Sequence, residues 1–309
     1  MKVLLFSHGS DIDGMGSIII SKTYFDEVKY YYCEMSNIDD TIKNSIETKE
    51  IDEYDLVFVT DLCPNNNTLE IINNREDLKE KFQVIDHHKT RLNSVDDFDF
   101  VSITIEDEKG QCSATSLFYE YLVLNNIIEE KEIVKTYSEL TRLEDTWEWK
   151  KRNIPLAHHL SHLFNILGRD EYVRVMTNKL QSQEKFQLTY EEQILIDCKI
   201  KEIDKVMKSY ASCIKDIEID NLKGAFVIID YEYRNEFPEY LERIKSSYDF
   251  AMMACFNHHS ISFRSITDCN VRVIAEQYGG GGHDKAASCN LGEKEEEIYK
   301  ILLKRNQRK

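Results

Sequence analysis

Phe82-Gln83-Val84-Ile85-Asp86-His87-His88 is the stretch on which the reading of this chain turns. The apolar run reads as a buried strand, and an acid and two imidazoles follow it directly. Two other apolar runs end the same way. Val3-Leu4-Leu5-Phe6 leads into Ser7-His8-Gly9-Ser10-Asp11-Ile12-Asp13-Gly14, and Leu56-Val57-Phe58-Val59-Thr60 leads into Asp61. Helical patterns are expected over 16–25, 38–46 and 69–78, and further strands over 28–33 and 100–105. This alternation predicts a parallel α/β sheet covered on both faces. In such sheets, sites form outside the carboxyl ends of the strands. Three strands therefore deliver His and Asp side chains to one edge.

Outward from that edge, the small residues Cys112-Ser113-Ala114-Thr115-Ser116 open a stretch over 112–124 that can pack closely beneath the site. The pattern then turns helical over 130–210. Ile196, Ile200, Ile203, Met207 and Tyr210 recur at helix spacing, so 190–210 reads as a long linking helix whose apolar stripe is packing. A second α/β unit follows. It has strands over 225–229, 250–256 and 260–263, helices over 239–244 and 270–278, and a turn at Asn257-His258-His259. Gly279-Gly280-Gly281-Gly282-His283 comes next, then a last strand and a C-terminal helix.

The totals narrow the function. A length of 309 residues suits two domains. A net charge of -17 argues against a large basic face for long duplex DNA and favours a short or small phosphorylated substrate. No apolar stretch approaches the ~18 residues of a membrane span. The start, Met1-Lys2-Val3-Leu4-Leu5-Phe6-Ser7, runs straight into His8, so it reads as a strand and not a signal segment. Eight scattered cysteines form no CxxC pair and read as reduced, mostly buried thiols. A cytoplasmic protein with no membrane contact is expected.

Clustered carboxylates and imidazoles at one sheet edge point to divalent metal. Phosphodiester hydrolysis needs an activated water and charge stabilisation on phosphoryl oxygens, and two ions about 3.5–4 Å apart supply both. His8, Asp11, Asp13, Asp61, Asp86, His87 and His88 are candidates, and Asp145 in Leu143-Glu144-Asp145-Thr146-Trp147 adds another acid. Each piece has a plain alternative. A DxD can be an N-cap or turn, and Asp61 can cap the next helix. The pairs His158-His159 and His258-His259 read as surface decoration. The order His-x-x-Asp-x-Asp-Gly, strand-Asp, strand-Asp-His-His is much more specific.

In these motifs the chain resembles the DHH phosphoesterase superfamily, and its glycine run with His283 resembles the signature of the companion DHHA1 domain. The resemblance implies an N-terminal parallel-sheet DHH domain over 1–185, a helical linker over 186–218 and a smaller C-terminal α/β DHHA1 domain over 219–309. It implies that His8 and Asp11 hold one ion and Asp13 the other, with Asp61 bridging. His87 and Asp145 would complete the second ion, Asp86 would orient the histidines, and His88 would meet the scissile phosphate as donor or general acid. The ions would be two Mn²⁺, with Mg²⁺ as the alternative.

On the second unit, Arg264 at a strand end and Gly280, Gly281, Gly282 and His283 would bind substrate, the glycines offering backbone N–H groups to an anion. Lys89 and Arg142 are further candidates for phosphate contact, and Trp147 and Trp149 for stacking or packing. The resemblance is nearest to the nanoRNase type. It implies a 3′–5′ exonuclease releasing mononucleotides from short RNA such as pGpG or pApA, acting as a monomer or homodimer. A bisphosphate nucleotidase, a cyclic-dinucleotide phosphodiesterase, a single-strand DNA exonuclease and a non-catalytic nucleotide-binding regulator are the alternatives.

Overall fold

A computed structural model describes residues 1–267 and 269–292. The chain divides into two compact units, Met1–Asp197 and Cys198–Lys309. The division falls inside a single long helix.

In the first unit, β1 (Lys2–His8), β2 (Glu27–Cys33), β3 (Leu56–Thr60), β4 (Phe82–Asp86) and β5 (Val101–Ile103) form one sheet in the order β2-β1-β3-β4-β5. Every pairing is parallel. Val3, Leu4, Leu5 and Phe6 are fully buried, as expected of an inner parallel strand covered on both faces. Strand β2 carries Lys29 and then Tyr30, Tyr31 and Tyr32, mostly half-buried, and lies at the edge. Helices α1 (Ile12–Tyr24), α2 (Ile38–Glu47), α3 (Asn66–Asn73) and α4 (Glu76–Lys79) connect the strands. Chain order reverses between β1 and β3, the position at which such sheets open a crevice.

The helix expected over 69–78 is broken. It starts earlier, stops at Asn73 and resumes at Glu76. Asn73 and Asn74 have low helix propensity, and Asn74 caps the helix through its main-chain N–H. A small hairpin, β6 (Glu106–Asp107) and β7 (Gly110–Gln111), precedes α5 (Ala114–Leu124). Ser113 caps α5 through a capping box with Ser116. The helices α6 (Glu132–Asp145), α7 (Glu148–Arg152), α8 (Pro155–Leu167), α9 (Arg169–Ser182) and α10 (Tyr190–Ala211) follow.

The second unit carries β8 (Lys215–Ile219), β9 (Leu222–Ile228), α11 (Glu236–Arg243), β10 (Phe250–Cys255), β11 (Ser260–Ser265), α12 (Val271–Gln277), β12 (Gly281–Gly282) and β13 (Ala286–Asn290). Its sheet has the order β12-β13-β11-β10-β9-β8. Only β9 and β10 run parallel. Strand β10 is buried along its whole length. Phe226, Phe250 and Phe263 pack towards α12, while Val227 and Met253 pack with Phe237 of α11. The C-terminal helix expected from sequence lies outside the described residues. All eight cysteines are free, and Cys33, Cys63, Cys112, Cys255 and Cys289 are buried. Among the described residues no helix is long and apolar enough to cross a membrane.

Candidate metal centre

The three strand ends meet at the β1–β3 crevice. His8 Nδ1 lies 2.9 Å from Asp11 Oδ2 and 3.3 Å from Asp61 Oδ2. On the other side, His87 Nε2 lies 3.3 Å from Asp61 Oδ1, 3.6 Å from Asp13 Oδ2 and 3.7 Å from Asp145 Oδ2. Two donor groups result, His8-Asp11-Asp61 and Asp13-His87-Asp145. Asp61 turns one carboxylate oxygen toward each.

Local structure explains how each side chain is held. Asp11 is the N-cap of α1 and accepts from Gly14 N through Oδ1, which leaves Oδ2 for His8. The cap interpretation of this DxD therefore holds for Asp11, while its Oδ2 still faces the cluster. Gly14 is required by space, because a Cβ there would lie 2.1 Å from the His8 carbonyl oxygen. Asp61 has φ 62°, the left-handed region that Asp and Asn tolerate best after Gly. Such outliers cluster at functional sites.

Asp13 is buried and held from across the fold. Ala114 N donates to its Oδ2 at 2.7 Å and Thr115 N to its Oδ1 at 2.9 Å, while Thr115 Oγ1 donates to its main-chain oxygen at 2.6 Å. The N-terminus of α5 favours a carboxylate there. The small residues expected to pack closely do so. A Cβ on Gly16 would come within 2.0 Å of Thr115 Oγ1.

Asp86 is buried, and its Oδ1 accepts from His87 N at 2.8 Å and pairs with His88 Nδ1, also at 2.8 Å. It thus holds the His88 ring and the His87 main chain. The His88 side chain is 54% exposed, so its other nitrogen, Nε2, is accessible.

Charges in the cluster perturb one another. Burial pushes His8 and His87 down, but hydrogen bonds and charges from the surrounding carboxylates outweigh it and raise them to about 11 and about 10. Burial and neighbouring carboxylates raise Asp13 and Asp145. His88 is raised, chiefly by its bond to Asp86.

These donors fit a divalent ion. His87 Nε2 is buried with no hydrogen-bond partner, although three carboxylate oxygens surround it. Neighbouring ligands of an octahedral ion with bonds of 2.0–2.1 Å sit about 3 Å apart, close to the spacings found here. All donors are N and O, as suits Mn²⁺ or Mg²⁺.

Residues 2–143 match the DHH family, N-terminal domain. Over that stretch the chain is similar to DHH-family N-terminal domains. DHH proteins are metal-dependent, and the acidic and histidine cluster of this chain could bind a metal. The chain is 29% identical over 304 residues to the oligoribonuclease NrnB of Bacillus subtilis, an alignment covering 97% of this chain and 74% of that protein. Two solved structures share the fold. The pGpG-specific phosphodiesterase PggH from Vibrio cholerae has 14% identity and a TM-score of 0.55, covering 99% of this chain and 98% of that one. The DHH domain of a member of the S1p family of ribosomal proteins has 15% identity and a TM-score of 0.58, covering 99% and 87%.

Other expectations need correction. Arg142 is buried among Glu139, Glu148 and the Gln111 carbonyl, so it stabilises the α6–α7 region and has no face for phosphate. His158 is not surface decoration. It stacks on Trp149 at 4.4 Å and pairs with Glu144 at 3.2 Å. Trp149 therefore packs, while Trp147 stays 43% exposed. Lys89 is exposed immediately after His88. Glu34, which sequence reasoning missed, stands 3.1 Å from His8 Nε2.

In the second unit, Arg264, Gly281 and Gly282 line one cavity of about 270 Å³. Arg234, Tyr231 and His258 line it too, and these three were not foreseen from sequence. His258 stacks on Tyr231 at 4.0 Å, and the Arg234 guanidinium lies over the same ring at 3.8 Å. Gly280 and His283 stand apart from this lining. Gly279 and Gly280 donate their N–H groups to Glu276 and Ala275 at the end of α12, so they cannot nest an anion. His283 closes a tight turn with Ala286.

Proposed function

We propose that this chain is a metal-dependent phosphodiesterase that hydrolyses short oligoribonucleotides, linear dinucleotides such as pGpG included, to mononucleotides. The observation that carries the reading is the pair of donor groups joined by Asp61, with His88 held beside them by Asp86. Similarity to NrnB over most of the chain supports the oligoribonucleotide class. The free thiols support a reducing compartment, the cytoplasm.

In this reading His8, Asp11 and Asp61 would hold one Mn²⁺, and Asp13, His87 and Asp145, with Asp61, would hold a second. When bound, the pair supplies an acidified water and positive charge for the phosphoryl oxygens. The protein supplies the rest. Asp13, pinned by α5, fixes one wall of the site. Asp86 accepts the His88 Nδ1 hydrogen, so Nε2 faces the substrate. As water oxygen bonds to phosphorus and gives up a proton to solvent, the P–O3′ bond breaks with its electron pair on O3′. His88 Nε2 then gives that oxygen its proton and regains one from solvent.

The cavity of the second unit would hold a nucleotide phosphate. Among the described residues neither Arg234 nor Arg264 has a carboxylate partner. Burial and the Arg234 charge lower the Arg264 pKa, a strain that an anion relieves.

The test is purified protein with Mn²⁺ and a labelled five-nucleotide RNA, for which stepwise mononucleotide release is expected. Mn²⁺ binding without cleavage of any phosphodiester would overturn the reading. Arg264→Ala should raise KM for pGpG by about ten- to a hundredfold, from a charged hydrogen bond of about 1.5–3 kcal/mol. It should affect bis-p-nitrophenyl phosphate less.

A further inference from the structure

We propose that Glu34 is a positioning residue of the metal centre, acting through His8. The inference rests on the metal-centre reading above. Strand pairing sets the geometry, because β1 and β2 are in register with His8 opposite Cys33, and Glu34 is the next residue. The Glu34 Oε2 lies 3.1 Å from His8 Nε2. The carboxylate is itself held. Ser10 Oγ donates to its Oε1 at 2.5 Å, and its main-chain N–H donates to Asn37 Oδ1 at 2.8 Å.

A carboxylate is an acceptor, so the hydrogen of this bond sits on His8 Nε2. The other ring nitrogen, Nδ1, is the one that faces Asp11 and Asp61. Glu34 therefore fixes both the ring plane and the nitrogen whose lone pair is offered to an ion. It also raises the basicity of that nitrogen. Carboxylate–histidine partnerships of this kind typically change metal affinity by about 10–100-fold. Glu34 stands on the opposite edge of the imidazole from Asp11 and Asp61 and is outside both donor groups. Its effect is thus confined to the His8 side of the centre.

The experiment is Mn²⁺ titration by calorimetry of the full chain, comparing wild type, Glu34→Ala and Glu34→Gln. Two binding steps are expected in wild type. In Glu34→Ala the step served by His8, Asp11 and Asp61 should weaken by about 10–100-fold, with the other step and the urea midpoint of the metal-free protein held. Glu34→Gln keeps an acceptor oxygen and should recover most of the loss. In NMR of the metal-free protein, the His8 Nε2–H resonance should persist in wild type and Glu34→Gln and vanish in Glu34→Ala. Unchanged affinities, equal loss in both steps, or no rescue by glutamine would each overturn the inference. A wild-type chain that takes up no Mn²⁺ refutes the metal-centre reading first, and the inference with it.

Discussion

Gly16→Ala should damage the metal centre without touching a ligand. Gly16 lies on α1 against the start of α5, and a Cβ there would fall 2.0 Å from Thr115 Oγ1 and 2.6 Å from its Cγ2. Ordinary contact begins at about 3.4 Å, so α5 must retreat by about 1.4 Å. Thr115 cannot simply rotate away, because its Oγ1 holds the Asp13 carbonyl at 2.6 Å. A retreat of that size stretches the Thr115 N–Asp13 bond from 2.9 Å to about 4 Å, beyond hydrogen-bond range.

Two bonds to a charged carboxylate are worth about 1.5–3 kcal/mol each. The better helix propensity of Ala returns about 1 kcal/mol. The net loss is about 2–5 kcal/mol, together with weaker Mn²⁺ binding as Asp13 loosens. Urea unfolding at fixed pH measures the first, and Mn²⁺ titration the second. A Gly16→Ala protein as stable as wild type, with undiminished Mn²⁺ affinity, would show that α5 does not hold Asp13.

Asp61 separates backbone from chemistry. Asp61→Asn tolerates φ 62° and should keep the urea midpoint while losing Mn²⁺ binding and turnover. Asp61→Ala should lose those and also about 1–2 kcal/mol of stability, and full turnover in either variant would sink the bridging role. With folded pKa values of about 11 and about 10, His8 and His87 are protonated at neutral pH in the metal-free protein. An ion needs the bare nitrogen, so uptake expels protons and affinity rises from pH 6 to pH 8. Calorimetry in buffers of different ionisation heat measures this, and no proton release refutes it. For metal-free stability the sign is opposite. Values raised above 6.5 mean that the native state binds more protons, so the contribution is full below pH 6.5 and is lost as pH climbs toward 10–11. The raised Asp13 and Asp145 act in the same sense at lower pH, and urea midpoints across that range provide the check.

The strand ends were legible because inner parallel strands are continuous apolar runs, and whatever follows them must lie at the sheet edge. The same rule covers Glu34, which directly follows Tyr31-Tyr32-Cys33. It was missed because β2 is a half-exposed edge strand, and a glutamate that follows such a strand reads as solvated surface. Arg142 and His158 were misread for a different reason. Their partners Gln111, Glu148 and Trp149 belong to short elements whose docking no local pattern encodes. The cavity of the second unit was only partly legible. Arg264 and the glycines announced it, but Arg234, Tyr231 and His258 come from turns that the sheet order brings together. The glycine run misled in one respect, since two of its N–H groups close α12 and do not face a ligand.

The grip of Ala114 on Asp13 spans 101 positions of sequence, and this sets a timetable for the nascent chain. When His88 has been synthesised, seven of the eight candidate donors already exist, yet Asp13 has nothing to hold it and Asp145 is missing. Long-range contacts of this kind form late, after the loop between them is closed. The second donor group is therefore finished only when α5 and α6 dock. An ion held by that group would thus enter a scaffold that has already closed around it.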